Sequence, residues 1–185
     1  MRQLAMIPRG MVATGALLLA LAGGAQAALK PGDAAPSFAT TAALAGKTFG
    51  FDMSAALKKG PVVLYFFPKA FTQGCTLEAH AFAESTPEFN RLGASVVGIS
   101  HDDIDTLRKF STEACRDQFA VASDPQAQTI RAYDASSGAR PGTANRISYV
   151  IGQNGKVVYV HEGSDPMEHV TGTLEAVRQM KPAGR

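Results

Sequence analysis

Two side chains in this sequence can act as both nucleophile and redox centre, Cys75 and Cys115. Cys75 stands in the run Pro68-Lys69-Ala70-Phe71-Thr72-Gln73-Gly74-Cys75-Thr76. The thiolate is the reactive form of cysteine, and a free thiol is mostly protonated at neutral pH. A cysteine in the opening turn of a helix meets backbone N–H groups that have no intrahelical partner, and the helix dipole there favours negative charge. Gly74 lets the backbone approach a small substrate without a Cβ in the way. Thr72, three residues before Cys75, can turn its hydroxyl back towards the sulfur and hold a substrate oxygen. Pro68 removes a backbone donor and narrows access. A single structural disulfide between the two cysteines remains the plain alternative for a secreted chain, and a redox pair is the sharper one. A dithiol oxidoreductase of the Cys-x-x-Cys kind is a third reading, but residue 78 is Glu, so that spacing is broken; residue 79 is Ala, so Cys-x-x-x-Cys is absent too.

The elements needed to hold such a site can be read on either side of it. Residues 61–67 form a continuous β-branched and aromatic run bounded by Pro61 and Pro68, the pattern of a strand buried on both faces. Ala79, Ala81, Phe82, Phe89 and Leu92 then fall at helical spacing behind Cys75, and residues 95–100 read as a second buried strand. A helix is expected over 103–115, with His101-Asp102-Asp103 as its capping material and Leu107, Phe110 and Ala114 on one face. Val121-Ala122-Ser123-Asp124 reads as a short strand, and Pro125 as the first residue of a helix reaching Tyr133. Residues 146–151 and 156–160 form two strands joined at Gln153-Asn154-Gly155, and residues 167–180 a last helix with a tail over 181–185. Short elements are also expected at 47–51 (strand) and 53–59 (helix). Strands alternating with helices, then a hairpin, predict an α/β fold with a mixed central β-sheet flanked by helices.

Pro68, Thr72 and Cys75 match Pro-x-x-x-Thr-x-x-Cys, and on this motif the chain resembles the peroxiredoxins. The longer run from Pro68 to Glu78 is similar to the Q-type branch, the bacterioferritin comigratory proteins. The resemblance extends to Pro31-Gly32-Asp33, Pro36 and Phe38, to Val96-Val97-Gly98-Ile99-Ser100, to Ser123-Asp124 and to the strand opened by Arg146. It implies a thioredoxin-like fold and a peroxidatic Cys75. It further implies that Thr72 bonds the peroxide, that Pro68 shields the thiolate, and that Arg146 reaches the pocket to stabilise the thiolate and polarise the peroxide. The substrate is then hydrogen peroxide or an alkyl hydroperoxide, with a thioredoxin-like donor as reductant and no metal or organic cofactor. Some Q-type members carry a resolving cysteine five residues after the first; here that residue is His80. Others carry it on the next long helix, which implies that Cys115 resolves Cys75 through an intramolecular disulfide, with local unwinding at both ends. A buried, free Cys115 is the alternative. Glu78 is read equally as a support for the site and as a solvated helix residue.

The N-terminus reads as a secretory signal peptide over residues 1–27, leaving one domain over 28–185. Arg2 and Arg9 form the basic region, residues 11–22 are apolar, and Ala25-Gln26-Ala27 is a small-x-small cleavage site. The apolar run is short for a spanning helix of about 20 residues, so no stable membrane association is expected after processing. Export suggests a periplasm, an oxidising compartment. The net charge of +2 and the lack of a basic stripe argue against nucleic acid as a partner. The resemblance also suggests a monomer. His101, His161 and His169 show no metal-ligand spacing, Met167 and Met180 are read as packing residues, and Lys58-Lys59 as a solvated turn.

Overall fold

A computed structural model describes residues 28–180. The expected signal segment and the tail lie outside the described residues. The elements are β1 (Ala39–Leu44), β2 (Lys47–Asp52), α1 (Met53–Lys59), β3 (Val62–Phe66), α2 (Gln73–Arg91), β4 (Ser95–Ser100), α3 (Ile104–Glu113), β5 (Ala120–Ser123), α4 (Gln128–Ala132), β6 (Ile147–Ile151), β7 (Val157–Glu162) and α5 (Pro166–Gln179). The strands form one seven-stranded sheet in the order β2-β1-β5-β4-β3-β6-β7. β3, β4 and β5 run parallel, whereas β6 lies antiparallel to β3 and β1 antiparallel to β5. The sheet is therefore mixed, as expected.

β3 is an interior strand between β4 and β6, and all five of its residues are buried. Its side chains alternate between faces, as the period of a strand requires. Val63 and Tyr65, with Phe67 just beyond, join Phe82, Phe89, Leu107 and Phe110 from α2 and α3. Val62, Leu64 and Phe66 join Ile130, Tyr133 and Tyr149 on the other side, with Leu57 of α1 packed against them. Burying one such aromatic or aliphatic side chain is worth about 1.5–3 kcal/mol. Helices on both faces account for the unbroken apolar run.

Two features differ from the reading of the sequence. β1 carries no apolar alternation, because Ala and Thr supply most of it. It pairs with β2 through a two-residue turn at Ala45 and Gly46, both with positive φ (49° and 73°). Such hairpins usually advertise themselves with Asn-Gly or Asp-Gly, and Ala45 hides the signal. Second, Pro125 does not open a helix. Residues 124–127 form a turn closed by Ala127 N–H donating to the Asp124 carbonyl at 2.8 Å, and Ala127 is left-handed (φ 52°). The helix begins at Gln128, and the Asp124 carboxylate accepts from Gln128 N (2.9 Å) and Ile130 N (2.8 Å).

Candidate active site

The loop after β3 is tied down before it reaches Cys75. Phe67 N–H donates to the Ile99 carbonyl at 3.0 Å, which carries the strand pairing one residue past β3. Ala70 N–H donates to Asp102 Oδ2 at 2.7 Å, and the same oxygen accepts from Ser100 Oγ at 2.8 Å. Asp102 is buried and turns inward, so it is not the helix-start residue expected from the sequence. Asp103 alone caps α3, accepting from Thr106 N at 2.8 Å. Phe71 follows in the left-handed region (φ 62°), an unusual conformation for a bulky residue and a local strain of the kind found at functional sites. Its ring lies edge-on to Phe110 with centroids 5.2 Å apart.

Thr72 occupies the N-cap of α2 in an extended conformation but makes no side-chain cap. Its hydroxyl donates to the Lys69 carbonyl at 3.0 Å, and its carbonyl accepts the first helical bond, from Thr76 N at 2.9 Å. The N–H groups of residues 73–75 therefore precede the intrahelical ladder, and Cys75 sits among them. The Cys75 side is only 2% exposed.

Arg146 arrives from the far side of the chain because of strand register. β6 pairs antiparallel with β3, and Ile147 lies opposite Phe66. The residue before Ile147 is therefore placed beside the loop that leaves β3. Arg146 Nη2 donates to Cys75 Sγ at 3.5 Å, and Nη1 donates to Glu78 Oε2 in a close ion pair. Gly74 makes this approach possible: a Cβ there would stand 3.1 Å from Arg146 Nη2. The sequence suggested room for substrate at Gly74; the structure fills that room with the guanidinium. Burial works against the charge on Arg146, but Glu78 and Cys75 outweigh it and hold its pKa above the ordinary arginine value.

Glu78 is fully buried, which removes the solvated reading of this residue. Burial pushes its carboxyl up to about 8, against the pull of Arg146. Its other oxygen, Oε1, lies 4.0 Å from His169 Nδ1. His169 is also fully buried; Nδ1 contacts Ser148 Oγ at 2.8 Å and Nε2 the Gly163 carbonyl at 3.1 Å. His161 and His169, unremarkable in sequence, meet with ring centroids 4.5 Å apart. Met167 is exposed, whereas Met180 packs against the core. Lys58 and Lys59 form the exposed last turn of α1.

The structure thus brings Cys75 and Arg146 into contact and sets Pro68 beside them. Pro68 and Arg146 share the lining of a cleft of about 410 Å³ with Arg140, Asn145 and Ser164. A roomier cavity of about 590 Å³, lined by Phe49, Val96 and Phe119 among others, contains none of these residues, so volume does not mark the site. Cys115 lies in the turn between α3 and β5, one residue beyond the helix C-cap Ala114. It is buried, both cysteines are free thiols, and both belong to one core cluster. Burial, and then the charge of Asp117, push the Cys115 thiol well above its ordinary value. Asp102 and His169 are the site neighbours that sequence reasoning missed. The Asp-Asp pair ahead of α3 held a signal for the first; nothing local marked the second.

The AhpC/TSA family profile matches residues 31–160. The chain is 34% identical to the chloroplastic peroxiredoxin Q of Triticum aestivum over 127 residues, covering 66% of this chain and 57% of the wheat protein. It thus spans little more than half the length of that relative. The crystal structure of peroxidoxin BcpB from Mycobacterium tuberculosis superposes with a TM-score of 0.76 at 30% identity, covering 83% of this chain and 99% of that one. A cysteine-to-serine mutant of Xylella fastidiosa PrxQ superposes with a TM-score of 0.72 at 21% identity, covering 82% and 97%, which is a likeness of fold. That fold is thioredoxin-like.

Proposed function

The chain belongs to the AhpC/TSA family, the peroxiredoxins, and from that premise we propose that it is a thiol-dependent peroxidase whose attacking atom is Cys75 Sγ. The observation that carries the reading is the Arg146 guanidinium donating to that sulfur at the free N–H end of α2. A fixed charge and backbone donors aimed at one point stabilise the thiolate and the charge that builds on a departing oxygen. The thiolate displaces one peroxide oxygen from the other. Cys75 becomes a sulfenic acid, and the second oxygen leaves as water or an alcohol once protonated. Thr72 would hold the peroxide after its hydroxyl leaves the Lys69 carbonyl, and Pro68 would close the approach to larger reactants.

Cys115 would then condense with the sulfenic acid, releasing water and forming an intramolecular disulfide. Bridged cysteines need Cα atoms within about 7 Å, and in this proposal local opening of both turns brings the two sulfurs together. The turn after Cys115 suits this: Arg116 and Asp117 both have positive φ (51° and 60°), strain that opening would relieve. A thioredoxin-like dithiol would return both cysteines to thiols. Export to a periplasm with removal of residues 1–27, and a monomeric state, complete the proposal.

The test is to mix the reduced protein with hydrogen peroxide and follow free thiols and intact mass. Loss of both thiols with loss of two hydrogens, abolished in Cys75→Ser, is expected. Gain of one lasting oxygen would remove Cys115 from its role. Reaction no faster than that of free cysteine would overturn the peroxidase reading.

A further inference from the structure

The cleft that Pro68 and Arg146 line is larger than hydrogen peroxide needs. Its volume of about 410 Å³ is that of a site for a small organic molecule. Two segments line it, and both are fastened close to Arg146. The loop over 136–144 leads into Arg146 and is closed on itself. Ser137 N–H donates to the Thr143 carbonyl at 2.9 Å, and Thr143 N–H (3.1 Å) and Oγ1 (2.8 Å) both donate to the Arg140 carbonyl. Asn145 N–H then donates to the Ala135 carbonyl at 2.8 Å. The second segment, residues 162–164, is held by Gly163 N–H, which donates to the Arg146 carbonyl at 3.4 Å.

Three charged side chains line the cleft: Arg140, Arg146 and Glu162. Arg146 is already engaged, by Glu78 and by the Cys75 sulfur. Glu162 Oε1 accepts from Asn145 Nδ2 at 3.4 Å. Arg140 differs from both. Its main chain closes the loop, its side chain is exposed, and it forms no ion pair among the described residues, where the paired arginines are Arg91, Arg108, Arg116, Arg146 and Arg178. A guanidinium is a planar fork of donors that matches a carboxylate. The cleft therefore presents two guanidiniums with separate engagements, one at the reactive sulfur and one without an anionic partner. Hydroxyls of Ser137 and Ser164 share the lining.

We propose that Arg140 is a specificity residue, and that the cleft selects small organic peroxides bearing a carboxylate, which Arg140 binds while the peroxide end reaches Cys75 under Arg146. Pro68 and Arg146 border both the cleft and the thiol, so only the narrow peroxide end has to pass the proline; the body of the substrate stays in the cleft. The chemistry at the sulfur is unchanged. The thiolate bonds to the terminal oxygen, the O–O bond breaks, and the terminal oxygen keeps its proton as the sulfenic acid. The other oxygen leaves with the bonding pair, as a carboxylate from a peracid or as an alkoxide that takes a proton to become an alcohol. Glu162 opposes the selection, since it brings a like charge to the substrate carboxylate. The inference rests on the peroxidase reading and deepens it by naming a substrate class.

The test measures single-turnover oxidation of Cys75 in the reduced full chain, by rapid quench and peptide mass spectrometry, so no reductant is needed. The probes are monoperoxyphthalate, which carries a carboxylate, peroxybenzoic acid, the same ring without it, and hydrogen peroxide. The pH is set so that the peracid groups are protonated and the phthalate carboxylate is ionised. The quantity read is the rate constant for monoperoxyphthalate divided by that for peroxybenzoic acid. Arg140→Gln should lower this ratio by about 3–10-fold, the worth of one partly exposed charge-assisted bond. Arg140→Lys keeps the charge and should lower it less. Glu162→Gln removes the opposing charge and should raise it by about 2–5-fold. A ratio unchanged in Arg140→Gln, or a loss of rate shared equally by peroxybenzoic acid, would overturn the inference while leaving the peroxidase reading in place. A wild-type protein that reacts with none of the three probes faster than free cysteine does would overturn the peroxidase reading and the inference together.

Discussion

The two cysteines are about equally hidden, yet the turns that hold them are built in opposite ways. Cys75 lies at a helix start with a guanidinium donating to its sulfur. Cys115 lies past a helix end, and the influences on it, burial and the negative charge of Asp117, both favour the protonated thiol. Burial alone therefore does not separate the two thiols; the partner at the sulfur does. The Cys75 turn is tied to the sheet by Asp102 and to β6 by Arg146, so it is positioned. The Cys115 turn carries two consecutive strained residues, so it is poised to change shape.

The largest effect that would break this contrast is loss of the guanidinium. Arg146→Gln should slow oxidation of Cys75 by about 10²–10³-fold, the usual loss on removing one preorganised charge-stabilising donor, and should leave Cys115 as unreactive as before. Stopped-flow oxidation of the reduced protein checks it; an unchanged rate would mean the helix start suffices. Gly74→Ala should act in the same direction but more weakly. Its Cβ forces Arg146 Nη2 back by a few tenths of an ångström, and a loss of about 3–10-fold in Cys75 alkylation rate is expected, roughly 1 kcal/mol.

The two regions should also lose stability at opposite ends of the pH scale. Near Cys75, burial holds the His169 pKa down at about 4, below its unfolded value near 6.5. Its contribution is present above pH 6.5 and fades as pH falls towards 4, since the unfolded chain then binds the proton more readily. Cys115 is the reverse case. Its thiol is raised above the ordinary value of 9.0, so its contribution is present below that pH and is lost as pH rises beyond it. Urea titrations in His169→Asn and Cys115→Ala should flatten the acid and alkaline limbs respectively, and each should leave the other limb in place.

The smallest effect concerns the phenol between the two turns. Tyr65 is fully buried under Phe82 and Phe119, with no hydrogen-bond partner for its hydroxyl. Its pKa is raised first by burial and then by its neighbours Cys115, Glu78 and Cys75. Tyr65→Phe should be neutral or stabilising by up to about 1 kcal/mol in thermal unfolding. A loss of more than that would reveal a partner for the hydroxyl and a tighter link between the two turns.

Much of the frame was legible because it follows from local pattern. The buried β3 run, the helix behind Cys75, the Gly155 hairpin and the α/β order all have a period or a turn residue that declares them. β1 was hidden by its Ala and Thr content, and the start of α4 by an Asp124 cap that outcompetes Pro125. At the site, the proline, threonine, cysteine and arginine positions could be named from the motif. The reason Arg146 can reach Cys75 could not, since it depends on the antiparallel register of β6 against β3. His169 was invisible for the same reason: only the packing of α5 against α2 brings it to Glu78.

The most direct test of the whole account is to find which sulfur is oxidised first. The reduced protein would be treated with less than one equivalent of hydrogen peroxide, quenched at successive times with a sulfenic-acid trap and mapped by peptide mass spectrometry. The account predicts the trapped adduct on Cys75 at the earliest times, giving way to a Cys75–Cys115 disulfide, with Cys115 never trapped. A sulfenic acid appearing first on Cys115, or a disulfide forming at an unchanged rate in Arg146→Gln, would contradict it.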